Sequence, residues 1–133
     1  MSKYQEAKLI LSEICSYHSH NLTYNEAKNA LIELKDNLED DDWTFDLDGN
    51  EYRIIEDSAI WSIYVETIKN IVNKCYDLNL DNLPKFIEWN IDWEQTAKNA
   101  YYDGYGHTFS SYDGSEINVR KRGVIDTWVF RTN

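Results

Sequence analysis

Three residues near the N-terminus, Cys15, His18 and His20, have side chains that commonly bind zinc. A structural zinc site normally uses four thiolate or imidazole ligands in two close pairs. The fourth ligand here would have to be Cys75 or His107, and both lie far along the chain. A buried, reduced cysteine and two histidines at a helix end account for the same residues, so we expect no metal or cofactor site.

Two glycine-containing segments match ligand-binding loops only in part. If Asp46-Leu47-Asp48-Gly49 is aligned with a calcium-binding EF-hand loop, Thr44 and Ile55 take the first and last ligand positions, where carboxylates are needed. Gly104-Tyr105-Gly106 is expected to follow a helix and lead into a strand, which reverses the order in phosphate-binding loops. The first segment therefore predicts a hairpin turn, and the second predicts a helix C-cap with a sharp bend.

His107 lies in sequence near Asp103, Ser110, Ser111 and Asp113, so a base and a nucleophile can be selected from this segment. The chain has neither the GxSxG pattern of a nucleophile elbow nor the HExxH pattern of a metalloprotease. General-base catalysis also requires a geometry that sequence does not provide. We therefore expect a protein that is not an enzyme, with an active site centred on His107 as the alternative.

Aromatic residues are dense on both sides of the expected bend at Gly104. They are Trp89, Trp93, Tyr101, Tyr102, Tyr105, Phe109 and Tyr112. Such density is typical of ligand pockets and interfaces, and core packing between a helix and a sheet explains it as well. If the region binds a phosphorylated nucleotide, the candidate contacts are Tyr105, His107, Phe109, Arg120 and Arg131.

The chain has 24 acidic and 13 basic residues and a formal charge of −11. Such a surface repels nucleic acid and anionic membranes and attracts basic partners. Phosphate binding needs clustered cations, and only Arg120, Lys121 and Arg122 form a run. We therefore expect no direct binding to nucleic acid or membranes; solubility alone is the other explanation of the acidity.

Eight of the 24 acidic residues lie at positions 36–51, which contain no basic residue. We interpret this stretch as a partner-binding surface with one aromatic anchor. The candidate residues are Asp36, Glu39, Asp40, Asp41, Asp42, Trp43, Asp46 and Asp48.

Hydrophobic periodicity and capping signals predict the helices that position these residues. Residues 4–19 are amphipathic, and Thr23-Tyr24-Asn25-Glu26 is a capping box that begins a second helix. The short link between them predicts an antiparallel helical hairpin. Further helices are expected at 59–76, at 84–89, and from Trp93 to a stop at Gly104.

Period-two alternation at Trp43, Phe45 and Leu47, followed by a turn at Asp48-Gly49-Asn50, predicts a central β-hairpin. Further strand candidates lie at 107–112, 116–119 and 127–131, with 120–123 as an exposed link. The expected fold class is α+β: an N-terminal helical hairpin, a central β-hairpin and helix, and a C-terminal helix followed by antiparallel strands.

The length fits one domain, 1–133, with a helical-hairpin subregion at 1–40 and an α+β subregion at 41–133. No apolar run approaches the roughly 20 residues of a membrane span, and no secretory signal pattern is evident. We therefore expect a cytoplasmic protein with reduced cysteines.

Several segments carry a resemblance to a known group. They are Asn50-Glu51-Tyr52-Arg53-Ile54-Ile55, Trp93-Glu94-Gln95-Thr96-Ala97-Lys98-Asn99, Asp103-Gly104-Tyr105-Gly106-His107-Thr108-Phe109, Tyr112-Asp113-Gly114-Ser115-Glu116 and Val129-Phe130-Arg131-Thr132-Asn133. Together they resemble a group of small phage and prophage proteins without an assigned biochemistry. A shorter stretch, from Ile91-Asp92-Trp93-Glu94 to the Asp113-Gly114 turn, is similar to the acidic and aromatic repeat of ArdA-type antirestriction proteins, which mimic DNA. The resemblance implies an accessory gene of a mobile element that acts in a bacterial host.

Charge and resemblance together lead to one functional hypothesis and two alternatives. The hypothesis is a phage-encoded counter-defence protein that blocks a nucleic-acid-binding surface of a CRISPR effector or restriction enzyme by acidic mimicry. The alternatives are a small-ligand binding protein for a phosphorylated nucleotide signal and a housekeeping phage accessory domain. The sequence leaves the oligomeric state open.

Overall fold

A computed structural model describes residues 2–75 and 91–133, so the helix expected at 84–89, together with Trp89, lies outside the described residues. The described elements are α1 (Lys3–His18), α2 (Tyr24–Asn37), β1 (Asp42–Leu47), β2 (Asn50–Glu56), α3 (Asp57–Cys75), α4 (Trp93–Ala100), a 3₁₀ turn (Tyr101–Asp103), α5 (Gly106–Phe109), β3 (Ile117–Lys121) and β4 (Val124–Arg131). The fold is α+β. The helical hairpin, the central β-hairpin with its helix, and the C-terminal helix and strands follow one another as predicted.

Capping boxes begin both N-terminal helices. The hydroxyls of Ser2 and Thr23 accept hydrogen bonds from the backbone N–H groups of Gln5 (3.2 Å) and Glu26 (3.3 Å). The Gln5 and Glu26 side chains in turn accept from the backbone N–H groups of the two cap residues. α1 ends where Ser19 adopts a left-handed backbone with φ 56°. The chain therefore reverses within a few residues, and α2 packs beside α1.

The four strands form one antiparallel sheet in the order β1-β2-β4-β3. Each hairpin turn has two residues with positive φ: Asp48 (52°) and Gly49 (82°) in the first, Arg122 (52°) and Gly123 (81°) in the second. This is the turn geometry that matches the right-handed twist of paired strands. The exposed link expected before β4 is therefore only two residues long, because β3 continues through Lys121.

Side chains of the central strands β2 and β4 alternate between two cores, one on each face of the sheet. The core toward α1 and α2 contains Ala7, Ile10, Leu11, Ile14, Ala30, Leu34, Phe45, Leu47, Tyr52, Ile54, Ile117, Val119 and Val129. The core toward α3, α4 and α5 contains Ile55, Ile60, Tyr64, Ile68, Ala97, Tyr105, Phe109, Trp128 and Phe130. The helical hairpin at 1–40 therefore shares a core with the strands that follow it.

The prediction of a strand at 107–112 is wrong, because this segment begins within the short helix α5. Gly104, with φ 82°, ends the 3₁₀ turn, and the chain then forms the helical turn of α5. Tyr105 and Phe109 are four residues apart, so one helical turn directs both rings into the second core. Gly106 packs so closely on the following turn that a Cβ there would lie 2.8 Å from the carbonyl carbon of Ser115.

Replacement of Leu34 tests how α2 docks on the sheet. Leu34 is fully buried, so Leu34→Ala is expected to lower the free energy of unfolding by about 3 kcal/mol through lost contacts and a residual cavity. Ile32→Ala on the same helix is the control; because Ile32 is 51% exposed, the change should stay below about 0.5 kcal/mol. Urea unfolding followed by circular dichroism measures both, and equal losses would contradict the docking.

Candidate functional site

The predicted acidic residues lie on one edge strand of the sheet, on its turn, and at the end of α2 and the link that lead into that strand. β1 is an edge strand, and its exposed Asp42 and Asp46 alternate with the buried Phe45 and Leu47. The strand and its turn extend about 20 Å at the usual rise per residue. We call the exposed carboxylates of this region the acidic edge. Its members are Asp36, Glu39, Asp40, Asp41, Asp42, Asp46 and Asp48.

Two carboxylates of the acidic edge are paired with cations of the same chain. The Lys3 ammonium donates to Glu39 Oε1 (2.6 Å), and this hydrogen bond, with the lysine charge, lowers the pKa of Glu39. Arg53 donates through Nε and Nη2 to the two oxygens of Asp42 (2.8 and 2.7 Å), a bidentate pair. These two carboxylates therefore offer a partner less unbalanced charge than their number suggests.

The other five carboxylates of the acidic edge form no ion pair among the described residues, although the charge of Asp36 also acts on Lys3. None of the ion pairs within residues 2–75 and 91–133 includes Asp36, Asp40, Asp41, Asp46 or Asp48. All five side chains are exposed. Their charge is therefore available to a basic surface.

The acidic edge also affects neighbouring carboxyl groups. Burial raises the pKa of Glu33, and the negative charge of Asp46 raises it further. Burial likewise raises the pKa of Glu56, followed by the contribution of Asp41. A carboxyl group whose pKa is raised by like charges experiences a negative potential. A cation bound at this edge would relieve that potential.

Trp43 and the backbone beside it anchor the acidic edge to the sheet. The Trp43 ring is partly buried and packs against Phe45, with ring centroids 6.1 Å apart. With Asp40 it lines a small cavity between α1 and the sheet. The Glu56 backbone N–H donates to the carbonyl of Asp41 (2.9 Å). The carboxylates are therefore carried by an ordered backbone, and Trp43 contributes mainly to packing.

The five residues considered for a small ligand do not converge on one site. Tyr105 (7% exposed) and Phe109 (4%) lie inside the second core, whereas His107 is exposed on α5. Arg120 donates to the backbone of the β3–β4 turn (3.2 Å). Arg131 is paired across the sheet with Tyr52 of the first core, so its side chain lies on that face and away from Tyr105 and Phe109.

Part of the aromatic density around the bend is core packing, through Tyr105 and Phe109. Neighbouring rings lie 4.7 to 6.2 Å apart between centroids, mainly edge to face. The rings concerned are Tyr64, Tyr101, Tyr105, Phe109 and Trp128. Among the described rings of this region, Tyr102 (93% exposed) and Tyr112 (53%) are the most open to solvent, and Tyr101 is also partly exposed (36%).

A polar network that the sequence did not reveal lies at one end of the first core. The Tyr52 hydroxyl is 2.7 Å from His20 Nε2 and 3.3 Å from His18 Nδ1. His18 Nε2 is in turn 3.4 Å from Asp113 Oδ2. We call His18, His20, Tyr52 and Asp113 the histidine–tyrosine network. It joins the end of α1, strand β2 and the turn after α5.

Local structure explains why these four side chains meet. The left-handed Ser19 ends α1 between the two histidines, so both can face the sheet. Tyr52 occupies an inward position of β2 and is fully buried. Asp113 is held in its turn by Ser115, whose hydroxyl (2.6 Å) and backbone N–H (3.0 Å) both donate to its Oδ1.

Asn50 and Arg131 support the network from the sheet. Arg131 Nη2 donates to Asn50 Oδ1 (2.9 Å), and Asn50 Nδ2 lies 3.4 Å from His20 Nε2. The Arg131 guanidinium also stacks 3.6 Å from the ring centroid of Tyr112. Arg131 is therefore occupied by contacts within the chain and is not a free phosphate ligand.

The donor and acceptor roles in the network depend on the histidine tautomers. Because Arg131 donates to Asn50 Oδ1, the Asn50 Nδ2 amide faces His20 Nε2 as a donor. A His20 tautomer without a proton on Nε2 can accept from both Asn50 and Tyr52.

Burial and hydrogen bonding set the charge states of the other members. Burial raises the pKa of Tyr52 to about 12, so its hydroxyl stays protonated at neutral pH. Burial also lowers the pKa of His20. At Asp113 burial opposes ionisation, but hydrogen bonds from Ser115, His18 and Ser110 outweigh it and lower the pKa to about 2. Because the Tyr52 hydroxyl is buried and contacts both histidines, the network ties the end of α1 to strand β2.

Only part of this network has a signal in the sequence. His18 and His20 attract attention as paired imidazoles, and the alternation of β2 turns Tyr52 inward. Asp113 lies 95 residues from His18, and nothing in the local pattern joins the two. The network thus depends on the tertiary fold.

Other chemistry is sparse in the described part of the chain. Among residues 2–75 and 91–133, no group of three or more His, Cys, Asp or Glu side chains is placed to hold a metal ion. Burial raises the pKa of the free, partly buried Cys15 thiol, so it stays protonated and weakly nucleophilic. In the same ranges, no helix has the length and apolar character to cross a membrane.

Comparison with known proteins adds no assignment: the chain matches no protein-family model, no curated protein and no solved structure. Its function must be argued from its own residues.

Two buried tyrosines provide a matched test of the histidine–tyrosine network. Tyr52→Phe removes a hydroxyl that contacts both histidines, so it should lower the free energy of unfolding by about 1–2 kcal/mol. The equally buried Tyr64 hydroxyl has no partner with good hydrogen-bond geometry within the described residues, although Thr108 is near enough to act on its pKa, so Tyr64→Phe should change stability by less than about 0.5 kcal/mol. Urea unfolding measures the free energy of unfolding of both variants. Equal losses in the two would contradict a stabilising role for the network.

Asp113 predicts a pH dependence of stability. Its pKa in the folded chain, about 2, is below the ordinary value of 3.8, so the unfolded chain binds the proton more readily between these values. The stability contributed by Asp113 is therefore present above pH 4 and is lost as pH falls toward 2. Asp113→Asn should unfold more easily than wild type at pH 7, and the difference should shrink over that interval. A constant difference in urea unfolding from pH 7 to pH 2 would contradict this.

Proposed function

We propose that this chain is a phage-encoded counter-defence protein, a non-enzymatic inhibitor that acts in the cytoplasm of a bacterial host. Its acidic edge occupies the nucleic-acid-binding surface of a defence complex. The observation that carries the proposal is the set of five exposed carboxylates that form no ion pair within the described residues and lie at the end of α2, in the link before β1, on β1 and on its turn.

The chemistry of nucleic-acid-binding surfaces supports this assignment. Such surfaces present lysine and arginine side chains spaced to meet the phosphates of a backbone that carries one charge per roughly 1.7 Å of duplex axis. Carboxylates accept charge-assisted hydrogen bonds from the same side chains, in bidentate form from arginine. Occupation by the acidic edge would block nucleic acid sterically and replace its charge.

The rigidity of the edge favours tight binding. Four of the seven positions are on β1, on its turn or at the hydrogen bond that joins Asp41 to β2, so they are ordered before a partner arrives. Preordered groups lose little conformational entropy on binding. The net charge of −11 also accelerates the encounter with a basic groove, most strongly at low salt.

Protection of the free edge of β1 against strand pairing is a competing explanation for part of the charge. Charged side chains on an edge strand do discourage aggregation. That explanation accounts for Asp42 and Asp46, which lie on the strand. It does not account for Asp36 at the end of α2 or for Asp40 and Asp41 before β1. The acidic surface extends beyond what edge protection requires.

CRISPR effectors and restriction enzymes both present extended basic grooves and are the target classes we propose. The resemblance to small phage and prophage proteins supports a counter-defence context, and the weaker similarity to ArdA-type proteins supports mimicry of DNA. Inhibition by occlusion requires no catalytic residue in the chain.

Neutralising two carboxylates of the acidic edge tests the proposal. The full chain is added to a panel of purified restriction enzymes and CRISPR effector complexes, and displacement of labelled DNA is followed by fluorescence anisotropy. Asp40→Asn/Asp41→Asn should weaken inhibition of the responsive complex at least tenfold, because neither carboxylate forms an ion pair within residues 2–75 and 91–133. Raising the salt concentration should weaken inhibition by the wild type.

Glu13→Gln/Glu66→Gln is the matched control, because it removes the same charge from exposed sites on α1 and α3. It should leave inhibition nearly unchanged. Equal weakening by both double variants would indicate net charge alone, and absence of displacement across the panel would reject the proposed target classes. Asp42 is left intact because its loss would leave Arg53 unpaired.

A further inference from the structure

The outer surface of the α1–α2 hairpin forms a shallow apolar groove. Two adjoining depressions share Ala27 and Leu31 and together run between the helices. We call this surface the hairpin groove. It is lined by Tyr4, Lys8, Leu11, Ser12, Cys15, His20, Leu22, Tyr24, Ala27, Lys28, Leu31, Ile32 and Lys35.

Large apolar side chains of the hairpin groove are open to solvent. Tyr24 is 81% exposed, Tyr4 is 52% exposed and Ile32 is 51% exposed. Single exposed apolar residues are common on protein surfaces, but these three border one depression. A contiguous apolar surface with a concave centre is typical of a protein–protein contact.

The charge of the hairpin groove is opposite to that of the whole chain. The chain has 24 acidic residues, yet none of the residues lining the groove is acidic, and Lys8, Lys28 and Lys35 are basic. None of these three lysines forms an ion pair within the described residues. Lys8 instead lies over the ring of Tyr4, 5.4 Å from its centroid. The groove therefore combines apolar contact area with unbalanced positive charge.

The dimensions of the groove fit a helix. From Tyr24 to Lys35, α2 extends about 16 Å, or three turns. An amphipathic helix of that length inserts apolar residues spaced three and four apart into such a groove. Carboxylates on the flanks of the inserted stripe would meet Lys28 and Lys35. We propose that the hairpin groove binds an acidic amphipathic helix of a partner protein.

A second copy of this chain fits the groove poorly. A two-fold symmetric contact places the same patch on both sides, so Lys28 and Lys35 would face lysines. The most acidic surface of the chain is a strand edge rather than an apolar helix. The hairpin groove shares no residue with the acidic edge, so this inference goes beyond the proposed function and does not depend on it.

A model peptide tests the inference with the full-length chain. The probe is a fluorescein-labelled helical peptide of about 14 residues, with leucines along one face and glutamates on both flanks. Fluorescence anisotropy should detect saturable binding. A peptide with lysine at every glutamate position should bind at least tenfold more weakly, and a scrambled peptide without a leucine stripe should not bind.

Variants of the chain locate the binding surface. Lys28→Glu/Lys35→Glu should weaken binding of the glutamate peptide at least tenfold, and Ile32→Ala should weaken it severalfold. Lys74→Glu/Lys98→Glu, with the same change of charge at exposed sites on α3 and α4, should bind as the wild type does. Circular dichroism and urea unfolding verify that each variant is folded.

Several outcomes would overturn the inference. Equal binding of glutamate and lysine peptides would exclude charge recognition, and binding unaffected by Lys28→Glu/Lys35→Glu would place the contact elsewhere. Binding of a single-stranded oligonucleotide or of anionic phospholipid vesicles through these lysines, without peptide binding, would assign the groove to another class of partner. Concentration-dependent self-association lost in Ile32→Ala would assign it to a second copy.

Discussion

The pairing of β2 with β4 is the constraint on which the rest of the structure depends. These strands are central and buried on both faces, with Ile54 opposite Val129 and Ile55 opposite Trp128. A slip of one residue in either strand would exchange the side chains of the two cores. Because both faces are covered by helices, only one register buries Tyr52 and Ile54 on one side and Trp128 and Phe130 on the other.

This register also places the surfaces that bear on function. With β2 and β4 in the centre, β1 must lie at an edge, so its outward carboxylates meet solvent. Tyr52 is the first inward residue of β2, so its hydroxyl meets the end of α1. Arg131 is directly opposite Tyr52 and therefore belongs to the same end of the first core. The acidic edge and the histidine–tyrosine network are thus consequences of one strand pairing.

Local signals predicted the elements well because their causes are local. The capping box at Thr23 and the turn at Asp48-Gly49 depend on neighbouring residues alone. The prediction of a strand at 107–112 was wrong because a helical turn there is stabilised by the packing of Tyr105 and Phe109 in the second core. The burial of both sheet faces had a signal in consecutive Ile54 and Ile55, since adjacent apolar residues in a strand face opposite sides.

The residue types of the candidate site could be predicted from the sequence, but the number of its carboxylates that are paired with cations could not. The acidic stretch was evident from residue types, whereas the pairs that reduce its charge join distant positions: Lys3 with Glu39, 36 residues apart, and Arg53 with Asp42, 11 residues apart. His20 also has a role that only the tertiary structure reveals, because it lines the hairpin groove and contacts Tyr52. A ligand in the groove that changes the hydrogen bonding of His20 must also change that of Tyr52.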